Sequence, residues 1–158
     1  QKGVHLIRQA LFWAINNGCQ FVLLGSSPEP AISHHFWHLK HYVNDNPDCH
    51  LELGFSEGLA HMIYAGADMI VVPSIYEPCG LTDLYAQMMG SLPVVHRVGG
   101  LVKVRHGETG YSYEEHSPEA LCRAIAAAAA DYRRPPERLE GLPRRGCGAA
   151  AARACPPG

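Results

Sequence analysis

The sequence predicts an α/β protein built on a Rossmann-like parallel sheet with helices on both faces. Short apolar runs of strand length alternate with segments whose apolar residues recur at helical spacing. The strand-like runs are apolar throughout, which is typical of parallel strands buried on both faces. The chain has 158 residues, of which 47% are hydrophobic and 18% charged, so it is long enough for one domain with a proper core and short for two.

The first part of the chain predicts a helix followed by a strand. Apolar residues between Val4 and Ile15 recur at helical spacing, and Asn17-Gly18 is a typical helix ending. Residues 21–26, FVLLGS, predict a buried strand that leads into a turn of small residues. Pro30 suits the start of the next helix, because proline lacks the N–H group that a helix start leaves unbonded.

The middle of the chain repeats this alternation. The predicted strands are residues 50–55, 68–74 and 92–96, the predicted helices are residues 56–67 and 81–90, and turns are predicted at residues 98–101 and 106–111. Parallel strands of this kind place their carboxyl ends at one edge of a sheet, where ligands bind in such folds.

The last predicted helix carries clear signals of a helix start. Ser117 is placed to cap it, Pro118 occupies its first position and Glu119 lies in its first turn. Beyond this helix the chain changes to Arg, Pro, Gly and Ala with almost no periodic apolar residue. We therefore predict a domain at residues 1–132 and a low-complexity tail at residues 133–158, interpreted as either disordered or frame-shifted.

One turn indicates a binding site, because a lone acidic residue, Glu77, follows an apolar strand. Gly80 allows close backbone approach, and a helix beginning near Thr82 offers unpaired N–H groups to an anion, with Thr82 as its cap or as a phosphate ligand. A carboxylate repels phosphate, so Glu77 is expected to face neutral hydroxyls, as on a sugar, while Lys2 supplies a cation for a diphosphate. The pattern alone leaves a second interpretation open, in which Glu77 caps a helix and Lys2 is a surface residue.

Four segments resemble the starch synthases and bacterial glycogen synthases: QKG at 1–3, FVLLGS at 21–26, AHMIYAGADMIVVPSIYEPCGLT at 60–82 and RVGGL at 97–101. These families are retaining glucosyltransferases of the two-domain GT-B architecture. The similarity covers roughly residues 1–100 in order and continues loosely to about residue 132. The segment HMIYAGADM is more similar to the plastid starch synthases than to the bacterial enzymes. The resemblance implies that the chain is most of a C-terminal, donor-binding domain.

The resemblance also implies roles for individual residues. Lys2 would bind the donor diphosphate and Glu77 the transferred glucose, which makes them the expected catalytic residues. Phe55 would stack on adenine. The other residues expected to contact the nucleotide sugar are Gly25, Ser26, Cys79, Gly80, Leu81, Thr82, Gly99 and Gly100.

The implied reaction transfers glucose from ADP-glucose to the 4-hydroxyl at the non-reducing end of an α-1,4-glucan, with the anomeric configuration retained. No metal or other cofactor is expected, because lysine and a helix start supply the positive charge. An N-terminal GT-B domain that this chain lacks would complete the cleft and hold the acceptor. The chain alone is therefore expected to bind nucleotide weakly without turnover, and a plastid location is implied.

Two alternatives stay open. After GGL the chain continues VKVRHGETG, whereas the family continues with Asp-Thr-Val or similar and a longer insertion. The short GETG form is more familiar from GT-B enzymes that use other nucleotide sugars, so the donor is open. The second alternative is a non-catalytic remnant whose surface binds glucan or a partner synthase.

Other classes of function are less well supported. His34, His38 and His41 share one helical face and, with His35, offer ligands to Zn²⁺ or Ni²⁺, but a helix face rarely supplies three ligands to one ion. A solvated face is the favoured interpretation. No GxGxxG motif supports a dehydrogenase. The net charge of −2 gives no reason to expect nucleic acid, and no apolar run reaches transmembrane length.

Overall fold

The structure, a computed structural model, describes residues 2–134. The predicted tail therefore lies outside the described residues except for its first two positions. The helices are α1 (Val4–Asn16), α2 (Pro30–Val43), α3 (Glu57–Gly66), α4 (Leu81–Met88) and α5 (Pro118–Tyr132). The strands are β1 (Phe21–Gly25), β2 (Cys49–Leu53), β3 (Met69–Val72), β4 (Leu92–His96) and β5 (Tyr111–Tyr113), and a 3₁₀ helix covers Gly99–Lys103.

The described residues form two compact units. The first unit is Leu11–Ile63, and the second unit combines residues 2–10 with residues 64–134. Every strand pairing is parallel, which confirms the predicted α/β class. The strands form a two-stranded sheet, β1-β2, and a three-stranded sheet, β3-β4-β5.

The first unit aligns the carboxyl ends of its two strands. In the parallel register Gly25 lies opposite Leu53, and the N–H of Gly54 donates to the carbonyl of Gly25 at 2.9 Å. The sheet therefore ends in two adjacent turns. Helix α2 buries its apolar face through Phe36, Leu39 and Val43, as the helical spacing of its apolar residues predicts.

The second unit is centred on β4, whose five residues are all buried between β3 and β5. Val72, Val95, Leu101 and Val104 form its apolar cluster, so the segment after β4 packs back onto the sheet. Helix α5 begins as predicted. The hydroxyl of Ser117 accepts a hydrogen bond from the N–H of Ala120 at 3.2 Å.

Two short elements were not predicted. Strand β5 has only three residues and pairs with Val94–His96, and the 3₁₀ helix at Gly99–Lys103 occupies what the sequence suggested was a turn. Such elements are too short to show a period, and tertiary pairing determines them. Among the helices that the structure describes, none is long and apolar enough to span a membrane.

Candidate functional site

The carboxylate of Glu77 lies in the loop after β3 and is the centre of the site. Its side chain is only 11% exposed, and its Oε2 is 2.5 Å from the ammonium of Lys2. The hydroxyl of Ser74 donates to the same oxygen at 3.1 Å. Two donors thus compensate the cost of burying this charge. The alternative in which Glu77 caps a helix does not describe these contacts.

The Lys2-Gly3 turn is held against the end of β3. Gly3 has φ +67°, and a Cβ there would lie 1.8 Å from the carbonyl oxygen of Pro73. Any side chain at this position would therefore force the turn away from the strand. The close approach of Gly3 to the backbone of Pro73 places the neighbouring Lys2 within reach of Glu77.

The loop of Glu77 also packs directly against the backbone of the 3₁₀ helix. The N–H of Gly100 donates to the carbonyl of Glu77 at 2.8 Å. A Cβ on Gly100 would lie 2.4 Å from the carbonyl carbon of Cys79. Gly99 and Gly100 were predicted to contact the nucleotide sugar. In the structure their contacts are with the loop that carries Glu77, and the ligand contact stays a prediction.

The turn that begins α4 differs in one respect from the expectation. Helix α4 starts at Leu81, and its N-cap is Gly80, which has the left-handed φ of 64° and no side chain for capping. Thr82 is therefore not the cap, because it already lies inside the first turn. Cys79 is exposed and forms no disulfide within the described residues. Gly80 itself is buried, and Leu81, the first residue of α4, is exposed, so the anion site predicted at this helix start stays a prediction.

Tyr64 is a site residue that sequence analysis missed. Burial raises the pKa of its hydroxyl, while a hydrogen bond to Thr82 and the charge of Lys2 act in the opposite direction. The hydrogen bond places the phenol beside Thr82 in the first turn of α4. The preceding helix gave no signal, because a tyrosine in an apolar helical pattern is more often a core residue.

Asp83 and Lys103 were also missed. Asp83 lies in the first turn of α4 with a fully buried side chain, and its Oδ1 is 3.3 Å from the ammonium of Lys103. Burial raises the pKa of this carboxyl, and the Lys103 charge opposes the rise. An acidic residue in the first helical turn was visible in the sequence, but its burial depends on the fold of the 3₁₀ helix.

His96, at the end of β4, links the loops around the site. Its Nδ1 lies 2.8 Å from the carbonyl oxygen of Ser74, and its Nε2 lies 3.0 Å from the carbonyl oxygen of Glu114. A neutral imidazole has one N–H and can donate to one of these oxygens, whereas the protonated ring can donate to both. A ring that carries a proton on Nδ1 donates to the carbonyl of Ser74, whose hydroxyl in turn donates to Glu77.

The remaining predicted residues belong to the first unit. Gly25 ends β1, Ser26 is exposed in the following turn, and Phe55 follows β2 with 91% of its surface exposed. The paired register of β1 and β2 brings these two turns to the same sheet edge. Their predicted roles, with Gly25 and Ser26 bordering the nucleotide and Phe55 stacking on adenine, stay predictions.

The histidines of α2 do not gather around one point. The Nε2 atoms of His34 and His38 lie 3.1 Å apart, while Nδ1 of His41 lies 2.8 Å from the carbonyl oxygen of Trp37. In the described part of the chain, no group of three or more His, Cys, Asp or Glu side chains is arranged to hold a metal ion. The three-histidine interpretation therefore gains no support from this helix.

The second unit thus brings together groups of complementary chemistry. A mostly buried carboxylate can accept hydrogen bonds from neutral hydroxyls, an ammonium that is 61% exposed can reach an incoming anion, and a helix start offers backbone N–H donors. Such a set suits a ligand that carries both hydroxyl groups and phosphate.

Comparison with known proteins gives the family context. The sequence profile of the family described as "Glycosyl transferases group 1" matches residues 1–131. The chain is 51% identical over 138 residues to glycogen synthase 1 of Nitrosococcus oceani, covering 81% of this chain and 28% of that protein. It is 51% identical over 141 residues to a probable glycogen synthase 2 of Synechocystis, covering 80% of this chain and 29% of that protein.

A solved structure shows the same fold. The catalytic domain of starch synthase IV from Arabidopsis thaliana, bound to ADP and acarbose, superimposes with a TM-score of 0.82 at 35% identity, over 88% of this chain and 30% of that chain. The chain thus spans roughly a third of the length of these proteins. The predicted plastid location is wrong, because the glycogen synthases that the chain matches at about half identity come from bacteria, cyanobacteria among them.

Proposed function

Because the chain belongs to the glycosyl transferases group 1 family, we propose that it forms the donor-binding part of a glucosyltransferase. The enzyme would extend an α-1,4-glucan from ADP-glucose with retention of the anomeric configuration. The observation that carries the proposal is the pairing of Lys2 with the mostly buried Glu77 beside the turn that begins α4.

The chemistry of the site supports a nucleotide-sugar donor. When the bond between glucose and diphosphate breaks, negative charge grows on the leaving phosphate and positive charge on the sugar. Lys2 and the N–H groups at the start of α4 would stabilise the leaving diphosphate. The carboxylate of Glu77 would accept hydrogen bonds from glucose hydroxyls. The two charges of the ion pair would thus serve opposite ends of one ligand.

The positive charge at this site is supplied by the protein itself. We propose that the reaction needs no metal ion, because an exposed ammonium and backbone N–H groups provide the stabilisation that a divalent cation would otherwise give. Two relatives are named glycogen synthases, which supports a glucan as the product. The starch synthase structure contains ADP, which supports adenine as the base of the donor nucleotide.

The acceptor site is proposed to lie outside this chain. Because the chain covers about 30% of its relatives, an N-terminal domain of the GT-B architecture would supply the other cleft wall and the glucan site. The chain alone should then bind donor without elongating glucan. Detectable transfer of labelled glucose from ADP-glucose to maltoheptaose by this chain alone would contradict the proposal.

Calorimetric titration of the chain with ADP-glucose, ADP and UDP-glucose tests the proposed donor. We expect saturable binding in which the two adenine compounds bind more tightly than UDP-glucose. Tighter binding of UDP-glucose would favour the alternative of another nucleotide sugar, to which the GETG segment at 107–110 points. Absence of binding to all three compounds would favour a non-catalytic remnant.

A further inference from the structure

Lys103 makes three contacts with the segment that begins α4. Its ammonium lies 3.0 Å from the carbonyl oxygen of Gly80, 3.3 Å from that of Cys79 and 3.3 Å from Oδ1 of Asp83. The lysine is the last residue of the 3₁₀ helix and reaches the turn from one side. One side chain thereby holds two consecutive peptide groups and the first turn of the helix.

The contacts to Gly80 and Cys79 fix the direction of two N–H groups. In a trans peptide the C=O and N–H bonds point in opposite directions, and the described residues contain no cis peptide. An ammonium that attracts the carbonyl oxygens of Cys79 and Gly80 therefore turns the N–H groups of Gly80 and Leu81 toward the other side. These N–H groups lie at the start of α4, where an anion would bind.

The contact to Asp83 removes an obstacle to anion binding. A fully buried carboxylate in the first turn of α4 would oppose the positive potential of the helix start and would repel a phosphate. Lys103 places a compensating charge 3.3 Å from that carboxylate. Gln87 adds a hydrogen bond to the other carboxylate oxygen at 3.3 Å. The buried negative charge is thus partly compensated by groups of the protein.

We propose that Lys103 is a positioning residue that orients the peptide groups of the Cys79–Leu81 turn, and neutralises Asp83, so that this turn can bind a diphosphate. The inference rests on the proposed function for the identity of the natural ligand. Lys103 is not required to touch the ligand, because it acts through the backbone oxygens that it holds.

The test compares Lys103→Met with the unmodified chain in calorimetric titrations with pyrophosphate, ADP and adenosine. We expect the affinity for pyrophosphate and ADP to fall at least about tenfold, since a charge-assisted contact is lost and a buried carboxylate becomes uncompensated. The affinity for adenosine should not change, because adenosine carries no phosphate. Lys103→Arg should restore part of the lost affinity.

Lys40→Met is the matched control. Lys40 also forms an ion pair through a partly buried ammonium, 3.0 Å from Glu52 Oε2, but it lies in the first unit. Its substitution should leave pyrophosphate affinity unchanged. A second readout is the amide NMR spectrum without ligand, in which Lys103→Met should shift the N–H signals of Gly80 and Leu81 more than signals elsewhere.

The outcomes separate this inference from the proposed function. If the unmodified chain did not bind ADP-glucose more tightly than UDP-glucose, the proposed function would be overturned. The NMR comparison of Lys103→Met with the unmodified chain would still test the orientation of the turn. Unchanged pyrophosphate affinity in a folded Lys103→Met chain would overturn the positioning role. If Lys103→Met does not fold, Lys103→Gln replaces it, and failure of both to fold would make Lys103 a stability residue and overturn the inference.

Discussion

Lys2 and Glu77 are separated by 75 positions in the sequence, and their side chains form an ion pair with 2.5 Å between ammonium and carboxylate. The exposure of the two partners is unequal, with Lys2 61% exposed and Glu77 11% exposed. An exposed ammonium can exchange one anionic partner for another at little cost, whereas a carboxylate away from water depends on its donors. Lys2 is therefore the partner that a phosphate can recruit.

This asymmetry predicts opposite effects for substitutions of the two residues. Lys2→Ala should weaken both ADP and ADP-glucose by about tenfold, because both ligands lose the same charge-assisted contact. Glu77→Gln should leave ADP affinity unchanged or higher, since the lysine loses its competing partner, and should remove any advantage of ADP-glucose over ADP. Calorimetry with the two ligands measures both effects.

Lys40→Ala serves as a control for the general effect of removing a lysine, because its ion pair with Glu52 lies in the first unit. Equal losses of ADP affinity in Lys2→Ala and Lys40→Ala would argue that net charge, and not the position of Lys2, determines binding.

Gly100→Ala should destabilise the chain. A Cβ at this position would lie 2.4 Å from the carbonyl carbon of Cys79 and 2.5 Å from its oxygen, so two backbone segments must separate. Overpacking of this kind costs about 1–3 kcal/mol of the free energy of unfolding. Gly58→Ala in α3 is the control, because a Cβ there meets nothing within 4 Å. Urea unfolding measures the stabilities of the two variants. Equal stabilities would contradict the close packing of Gly100 against the backbone of Cys79.

The burial of Asp83 should make the stability of the chain depend on pH. Folding raises the pKa of its carboxyl through burial, from an ordinary value of 3.8. An acid with a raised pKa binds its proton more tightly in the folded state. Its stabilising contribution to the free energy of unfolding is therefore fully present below the pKa of the unfolded chain and is lost as the pH rises through the pKa of the folded chain. Asp83→Asn cannot titrate and should escape this loss.

Urea unfolding of Asp83→Asn and of the unmodified chain between pH 4 and pH 7 measures the effect. We expect the difference in the free energy of unfolding to move in favour of Asp83→Asn as the pH rises above 3.8. A difference that stays constant across this range would show that folding does not raise the pKa of Asp83.

The cap of α5 offers a test of the fold that is independent of the site. Ser117→Ala removes the hydroxyl that accepts from Ala120 and should cost about 1 kcal/mol of the free energy of unfolding. The N-cap of α2, Glu29, makes no capping hydrogen bond through its side chain, so Glu29→Ala should cost less. Thermal unfolding compares the two variants. A larger loss of stability for Glu29→Ala than for Ser117→Ala would contradict the assignment of Ser117 as the cap of α5.

Long elements could be predicted from the sequence because the spacing of their apolar residues shows which face is buried. Helix α5 begins at Pro118 behind a serine cap, as its residues indicate, and β4 covers the predicted residues 92–96. Strand β5 could not be predicted, because three residues show no period and its pairing with β4 is a tertiary contact.

The residues of the site could also be predicted only in part. Glu77 and Lys2 could be singled out because a charged residue at a strand end and a lysine in a turn are unusual in an apolar context. Their direct pairing could not be predicted, since it depends on the approach of Gly3 to Pro73. The role proposed for Lys103 could not be predicted, because two of its three contacts are with backbone oxygens, which any sequence provides.

In the proposed function the turn beginning α4, together with Lys2, holds the diphosphate of the donor. Amide NMR spectra of the chain during titration with ADP, and separately with adenosine, test it most directly. We predict that the N–H signals of Gly80, Leu81 and Thr82 shift with ADP and not with adenosine, and that Lys2→Ala weakens the ADP response. Saturable binding of ADP that leaves these three signals unmoved would show that the diphosphate is held elsewhere.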